Sequence, residues 1–352
     1  MKHRAAVAMS GGVDSTVTAA VLRDAGYDVI GITLKMYEDG ATEKCGGRDC
    51  VQRAASSAAV LGIRHYAKSA TEIFSLKVIK PFAEYYMRGL TPNPCVECNR
   101  WVKFTYLWNI ACALDCEYLA TGHYAIIEER NGEKCLVRGR DQRKDQSYFL
   151  YGIKRNILPH IIFPLGGMEK TEVRKIAWKL GVPSAASPDS QDICFIPDGN
   201  YPRFLKEYGA PGKMPGHFID ENGRFLGLHD GFYNYTVGQR RGTGVYGSTR
   251  LYVTKIIPET NEVVLGTLEK VRFRRFTVSD LNMLADIPDG NFASRVQIRY
   301  RHIPADCTVS VKGNSADVIL EDPQFAVTSG QSAVFYDGDR VLGGGIITEV
   351  QY

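Results

Sequence analysis

"AMSGGVDST", residues 8 to 16, joins an apolar run to the first helical pattern of the chain. Upstream, "RAAVAM" (4–9) reads as a buried strand, and downstream "DSTVTAAVLRDAG" (14–26) reads as a helix closed by Gly26. Between them, Gly11 and Gly12 let the backbone curl closely around an anion and expose amide N–H groups at a helix N-terminus. Ser10 and Ser15 add hydroxyl donors, and Asp14 can orient a loop amide or a Mg²⁺ ion. No Gly-Lys-Ser/Thr follows, so this is not a Walker loop. A strand, an anion-binding loop and a helix in that order predict the start of an α/β fold.

The next segments continue the alternation. "YDVIGITL" (27–34) and "HYAKS" (65–69) read as strands, with a helix over 49–63 between them. A long helix is expected over 71–89, kinked at Pro81, then a helix over 102–116 and a strand over 117–124. Strands separated by helices imply a mostly parallel, Rossmann-like sheet covered on both faces. From about residue 200, Gly, Pro and Asn become frequent and short alternating segments replace the helices. "TRLYVTKIIPETNEVVLG" (249–266) and "SAVFYDGDRVLGGGIITEV" (332–350) read as hairpins, turning at Glu259-Thr260-Asn261 and at Gly338-Asp339. The expected domains are 1–200, an α/β catalytic domain; 201–270, a small β-rich domain; and 271–352, a C-terminal β-barrel.

The 352 residues suffice for two or three cores, and 44% hydrophobic with 23% charged residues is ordinary for a globular protein. No apolar run approaches the ~20 residues that cross a bilayer. The N-terminal apolar stretch is too short for a signal-peptide core, so a cytoplasmic location is expected. Nine cysteines, Cys45, Cys50, Cys95, Cys98, Cys112, Cys116, Cys135, Cys194 and Cys307, then read as reduced thiols. The net charge of +4 hints at an anionic partner.

SGGVDS is the motif of the PP-loop ATP pyrophosphatases, which the chain resembles. Further strings narrow the resemblance: "LTPNPCVECNRWVKF" (90–104), "LATGHYA" (119–125), "KDQSYFLY" (144–151), "SQDICFIPDGNY" (190–201), "YTVGQRRG" (235–242), "IRYRH" (298–302) and "SGQSAVFYDGD" (329–339). In this order they resemble the tRNA 2-thiouridylase family over essentially the whole length. That family replaces O2 of the wobble uridine by sulfur in tRNAs for Lys, Glu and Gln. The resemblance implies ATP and Mg²⁺, the anticodon stem-loop as substrate, and a cysteine desulfurase or sulfur-relay protein as donor. It implies that Cys194 carries a persulfide and that Cys98 resolves it through a transient disulfide. Both lie in Asn/Pro/Asp-rich strings that read as loops. ATP would be held by Ala8 and Met9 at the strand end, by Ser10, Gly11, Gly12 and Val13 in the curl, and by Asp14 and Ser15. Leu34 and Gly122 would complete that site. Asn93, Pro94, Cys95, His123, Lys144, Asp145, Gln146, Arg299, Tyr300 and Gln331 match the family's tRNA-contact segments. Cations interleaved with aromatics in "KVRFRRF" (270–276) and "RVQIRYRH" (295–302) suit phosphate contact and base stacking.

The chemistry fits the residues. Adenylation makes the uracil oxygen a leaving group, and a thiolate is the polarizable nucleophile that sulfur transfer needs. Cys95 departs from the pattern, since many family members have Asp there. With Cys98 and Cys194 it makes three candidate ligands for a [4Fe–4S] cluster, an alternative to the persulfide relay. Zinc on the CxxC pair, helped by Cys45 and Cys50, is a third option. Another PP-loop modifying enzyme or synthetase, or a non-catalytic tRNA-binding protein, is the remaining alternative; neither needs both Cys98 and Cys194.

Overall fold

A computed structural model describes the chain apart from residues 1, 38–47, 183–192, 197, 210, 247–248, 288–289 and 352. Cys45, expected as a possible zinc ligand, and the rest of 38–47 lie outside the described residues. The chain separates into two compact units. The first comprises Met1–Ile79, Pro94–Gly199 and Asp339–Val341; the second comprises Lys80–Asn93, Asn200–Gly338 and Leu342–Tyr352.

The first unit is built on β1 (Arg4–Ala8), α1 (Val13–Asp24), β2 (Asp28–Lys35), α2 (Arg48–Leu61), β3 (Arg64–Ser69), β4 (Tyr118–Ala120) and β7 (Ile161–Ile162), with the hairpin β5 (Ala125–Arg130) and β6 (Glu133–Arg138) beside it. The sheet runs β3-β2-β1-β4-β7, and its pairings are parallel. Crossovers run one way to β2 and β3 and the other way to β4, so the order reverses between β1 and β4. A ligand crevice belongs outside the carboxyl ends of those two strands. The strand β1, with Ala5, Ala6 and Val7 fully buried, has no solvent face. Alanines pave the contact between the helices and the sheet: Ala19, Ala20, Ala54 and Ala58 are buried with Val7, Leu22 and Val29. Small side chains let α1 and α2 approach closely, which brings the start of α2 up to the glycine loop. In the β5–β6 hairpin, Asn131 and Gly132 both have positive φ, 53° and 80°, as a two-residue turn between twisted strands requires.

The second unit holds two β modules. One is a four-stranded sheet ordered β10-β11-β8-β9, from β8 (Gly216–Ile219), β9 (Phe225–His229), β10 (Tyr252–Ile257) and β11 (Glu262–Gly266). The other is a barrel of β12 (Arg272–Met283), β13 (Asn291–Gln297), β14 (Ala305–Lys312), β15 (Ser315–Phe325), β16 (Ser332–Asp337) and β17 (Arg340–Gln351), closed by pairing of β12 with β17. Closure removes the exposed edges of an open sheet. Phe273 and Phe276 sit in the barrel core with Val296, Val309 and Phe335. This corrects their expected stacking role: an irregularity in β12 between Phe273 and Arg275 breaks the alternation, so both aromatics are buried while Arg272, Arg274 and Arg275 stay exposed. The helix Lys80–Met87 belongs to this unit as well, its Tyr86 stacked on Tyr201 and its Phe82 edge-on to Phe204.

Candidate nucleotide and thiol site

The loop after β1 is shaped by glycine and serine. Gly11 has φ +73°, and a Cβ there would lie 2.7 Å from the Cys50 carbonyl oxygen, so no side chain fits. Gly12 is the N-cap of α1 and no side chain caps that helix, which leaves its first amides directed at the crevice. The Ser15 hydroxyl donates to the Gly12 carbonyl and accepts from the Ser10 amide at 3.2 Å, so it holds the curl in shape. Asp14 is engaged by protein: Lys170 Nζ donates to its two oxygens at 2.6 and 2.8 Å, and the Tyr124 hydroxyl donates to Oδ1 at 2.9 Å.

Gly122 follows β4. A Cβ on it would lie 2.9 Å from the Asp14 carbonyl carbon and 3.1 Å from the Ser15 nitrogen, so the loops after β1 and β4 touch through a position that only glycine fills. Beside them opens a recess of about 300 Å³. Of the expected ATP residues, Ala8, Met9, Ser10, Asp14, Ser15, Leu34 and Gly122 line it, while Gly11, Gly12 and Val13 belong to the loop but not to the recess wall. Cys50, Lys103 and Thr121 also line it, and sequence reasoning singled out none of them for this site.

His123 and Gln146, expected at tRNA, line the same recess. Gln146 Oε1 accepts from the Tyr124 amide at 3.1 Å. Thr121 Oγ1 lies 2.6 Å from His123 Nδ1, and Lys103 Nζ lies 3.2 Å from its Nε2. An ammonium only donates, so Nε2 accepts and Nδ1 carries the proton toward Thr121. Burial, reinforced by the Lys103 charge, pushes His123 well below the usual imidazole range, which agrees with a neutral ring.

The thiols lie in the same unit. Cys95 falls in the short helix Pro94–Glu97, and Cys98 opens a π-helix that runs to Leu107. The expected loop at this pair is thus a helix. Asn93 and Pro94 mark its start, because a proline loses nothing at a first helical position, where the amide has no partner anyway. Cys194 lies in a turn and is half-buried, its Sγ 3.7 Å from the Tyr37 hydroxyl. Cys98 is buried and Cys95 exposed. Cys95 is surface-accessible but ringed by enough protein for desolvation to raise its thiol, and the nearby Cys194 raises it further, to about 11. Burial likewise raises Cys98 and Cys194 to about 11; Lys103 opposes the rise in all three. Each thiol acts on another of the set, Cys194 on Cys95, Cys95 on Cys98 and Cys98 on Cys194. Among the described residues no three His, Cys, Asp or Glu donors converge as a metal-holding group. The arrangement therefore does not fit a cluster or zinc as it stands.

The other expected tRNA residues have varied settings. The buried Asp145 carboxylate accepts from Arg138 at 3.0 Å, from the Gly139 and Ser147 amides and from the Ser147 hydroxyl, bracing its own loop. Lys144 is half-buried beside it. In the second unit, Gln331 Nε2 donates to the Thr91 and Pro92 carbonyls, the residues just before Asn93. Arg299 donates to the Val237 carbonyl and to Thr328 Oγ1, and the Tyr300 carbonyl accepts from Gln297. No helix among the described residues is long and apolar enough to cross a membrane.

An open parallel sheet with an uncapped, glycine-turned helix start at its reversal point defines a nucleotide-binding domain of the HUP class, followed here by two β modules. Family models agree in order: "tRNA methyl transferase HUP domain" matches residues 3–198, "tRNA methyl transferase PRC-barrel domain" 202–267 and "Aminomethyltransferase beta-barrel domain" 273–347. The chain is 43% identical to the tRNA-specific 2-thiouridylase MnmA of Carboxydothermus hydrogenoformans over 98% of both chains. It is 45% identical to that of Heliobacterium modesticaldum, over 99% of this chain and 93% of the relative. It is also 45% identical to that of Syntrophotalea carbinolica, over 97% of each. The chain belongs to the MnmA family of tRNA-specific 2-thiouridylases.

Proposed function

We propose that this chain is a cytoplasmic tRNA-uridine 2-sulfurtransferase, acting with ATP and Mg²⁺ on the wobble uridine of tRNAs for Lys, Glu and Gln. The observation that carries this reading is a phosphate-type recess and a set of interacting thiols in one unit, with Lys103 acting on both. The uracil O2 attacks the α-phosphorus of ATP and expels pyrophosphate. The terminal sulfur of a Cys194 persulfide, loaded by a cysteine desulfurase or relay protein, then attacks C2. AMP departs with the original oxygen, leaving C2 joined to Cys194 through two sulfurs. The Cys98 thiolate attacks the Cys194 sulfur; the broken S–S pair stays on the sulfur of C2, giving 2-thiouridine. The Cys98–Cys194 disulfide formed needs two electrons from a dithiol reductant before the next turnover.

In this reading residues 1–200 supply the chemistry, and the β modules at 201–270 and 271–352 grip the tRNA. That grip helps meet the cost of turning the base out of its stack, a few kcal/mol. Asn93, Pro94, Lys144, Arg299, Tyr300 and Gln331 are the proposed contacts on the tRNA side. The test is nucleoside mass analysis of tRNA incubated with enzyme, ATP and a persulfide donor. Wild type and Cys95→Ala should form 2-thiouridine, whereas Cys98→Ala and Cys194→Ala should not. Product formation by Cys98→Ala and Cys194→Ala would sink the relay. A second reading places a [4Fe–4S] cluster on Cys95, Cys98 and Cys194; these thiols influence one another but would have to draw together to hold it. About four irons per chain after anaerobic purification, lost in Cys95→Ala, would select it.

A further inference from the structure

The glycine loop carries no lysine, unlike a Walker loop, so the charge of bound phosphate must be met from elsewhere. Lys170 reaches the loop but is held to Asp14 at 2.6 Å. Among the described residues, the recess has a single lysine or arginine on its wall, Lys103. Its place follows from the π-helix Cys98–Leu107. Backbone hydrogen bonding from i to i+5 makes a wide turn that sets Lys103 about one turn beyond Cys98. The Lys103 ammonium donates to His123 Nε2 at 3.2 Å, and Thr121 fixes the ring from its other side. One ring acceptor leaves an ammonium further protons for an anion.

We infer that Lys103 is the phosphate-facing cation of the nucleotide site, aimed by His123 from the helix that carries Cys98. Because Lys103 stands on the recess wall and also acts on Cys98 and Cys194, the phosphate it meets is the one at the reacting centre, which stays on the adenylated base after pyrophosphate leaves. His123 is accordingly a positioning residue, and neutral, because a protonated ring would repel the lysine it orients. The assignment deepens the thiolation reading by giving the leaving AMP an electrostatic partner beside the nucleophile.

Binding without tRNA tests this independently of thiolation. Titration calorimetry would compare adenosine, AMP and Mg²⁺-ATP on the full chain and on Lys103→Gln, Lys103→Arg and His123→Gln. A charge-assisted hydrogen bond is worth roughly ten- to a hundredfold in affinity. Lys103→Gln should weaken AMP and ATP by about that factor and leave adenosine unchanged, with Lys103→Arg recovering most of the loss. His123→Gln should fall between. If the Gln variant loses its melting transition, Lys103→Met, which keeps the apolar stem, replaces it. Equal losses for adenosine and AMP, or none for either, would overturn the assignment. Failure of thiolation by the wild-type enzyme would sink the proposed activity and leave these binding results standing.

Discussion

At neutral pH the thiols of Cys98 and Cys194 are protonated, because burial lifts both to about 11. The thiolate is the reactive form, so reaction with iodoacetamide should accelerate about tenfold per pH unit through pH 10. A rate already flat at pH 8 would contradict the burial described. Gly11 makes a second residue-scale case. Alanine there would carry φ +73° and a Cβ 2.7 Å from the Cys50 carbonyl oxygen. Strain of this kind costs about 1–3 kcal/mol, so Gly11→Ala should lower the melting temperature by several degrees and abolish ATP binding. Unaltered ATP affinity would mean that the loop adjusts freely. Gly11 was legible from its neighbours in the sequence; the Cys50 carbonyl that enforces it lies 39 residues away and was not.

Among elements, the loop bearing Asp145 separates support from contact. Its carboxylate is buried and receives the Arg138 guanidinium and three further donors. Removing one partner of a buried pair typically costs about 3–5 kcal/mol. Asp145→Ala should therefore unfold at markedly lower denaturant, and its folded fraction should bind tRNA normally. A variant of unchanged stability with weakened tRNA binding would restore Asp145 to the tRNA surface. Sequence reading placed the sheet strands well because β1 and β2 are continuous apolar runs. It overlooked the β5–β6 hairpin, although Asn131-Gly132 is the strongest short signal for one. It also read the Cys95–Cys98 segment as a loop. Asn and Pro suggest a break there, whereas in the structure they open a helix that continues as the π-helix from Cys98.

At the scale of the whole molecule, the chain leaves the first unit after Ile79 and returns at Pro94. It leaves again after Gly199 and re-enters briefly at Asp339–Val341, where Arg340 pairs with Val137 and Arg130 bonds Asp339. A fragment of residues 1–199 should consequently be poorly behaved. It keeps Phe82 and Tyr86 and loses Phe204 and Tyr201, the rings that pack on them. Such a fragment should bind an apolar dye strongly and aggregate on warming; a monodisperse fragment with a cooperative melt would contradict this.

The excursion of Lys80–Asn93 also bears on inheritance. Gln331 and Tyr201 hold this short stretch by its Thr91 and Pro92 carbonyls and by the Tyr86 ring, yet it is encoded between two pieces of the nucleotide-binding unit. Descendants of this gene cannot trade their tail for that of a distant cousin without bringing the matching 80–93 stretch along. Change at Tyr86 should call for a matching change at Tyr201, whereas Gln331, bonded to main-chain carbonyls, asks only that the path of the chain at 91–92 be kept.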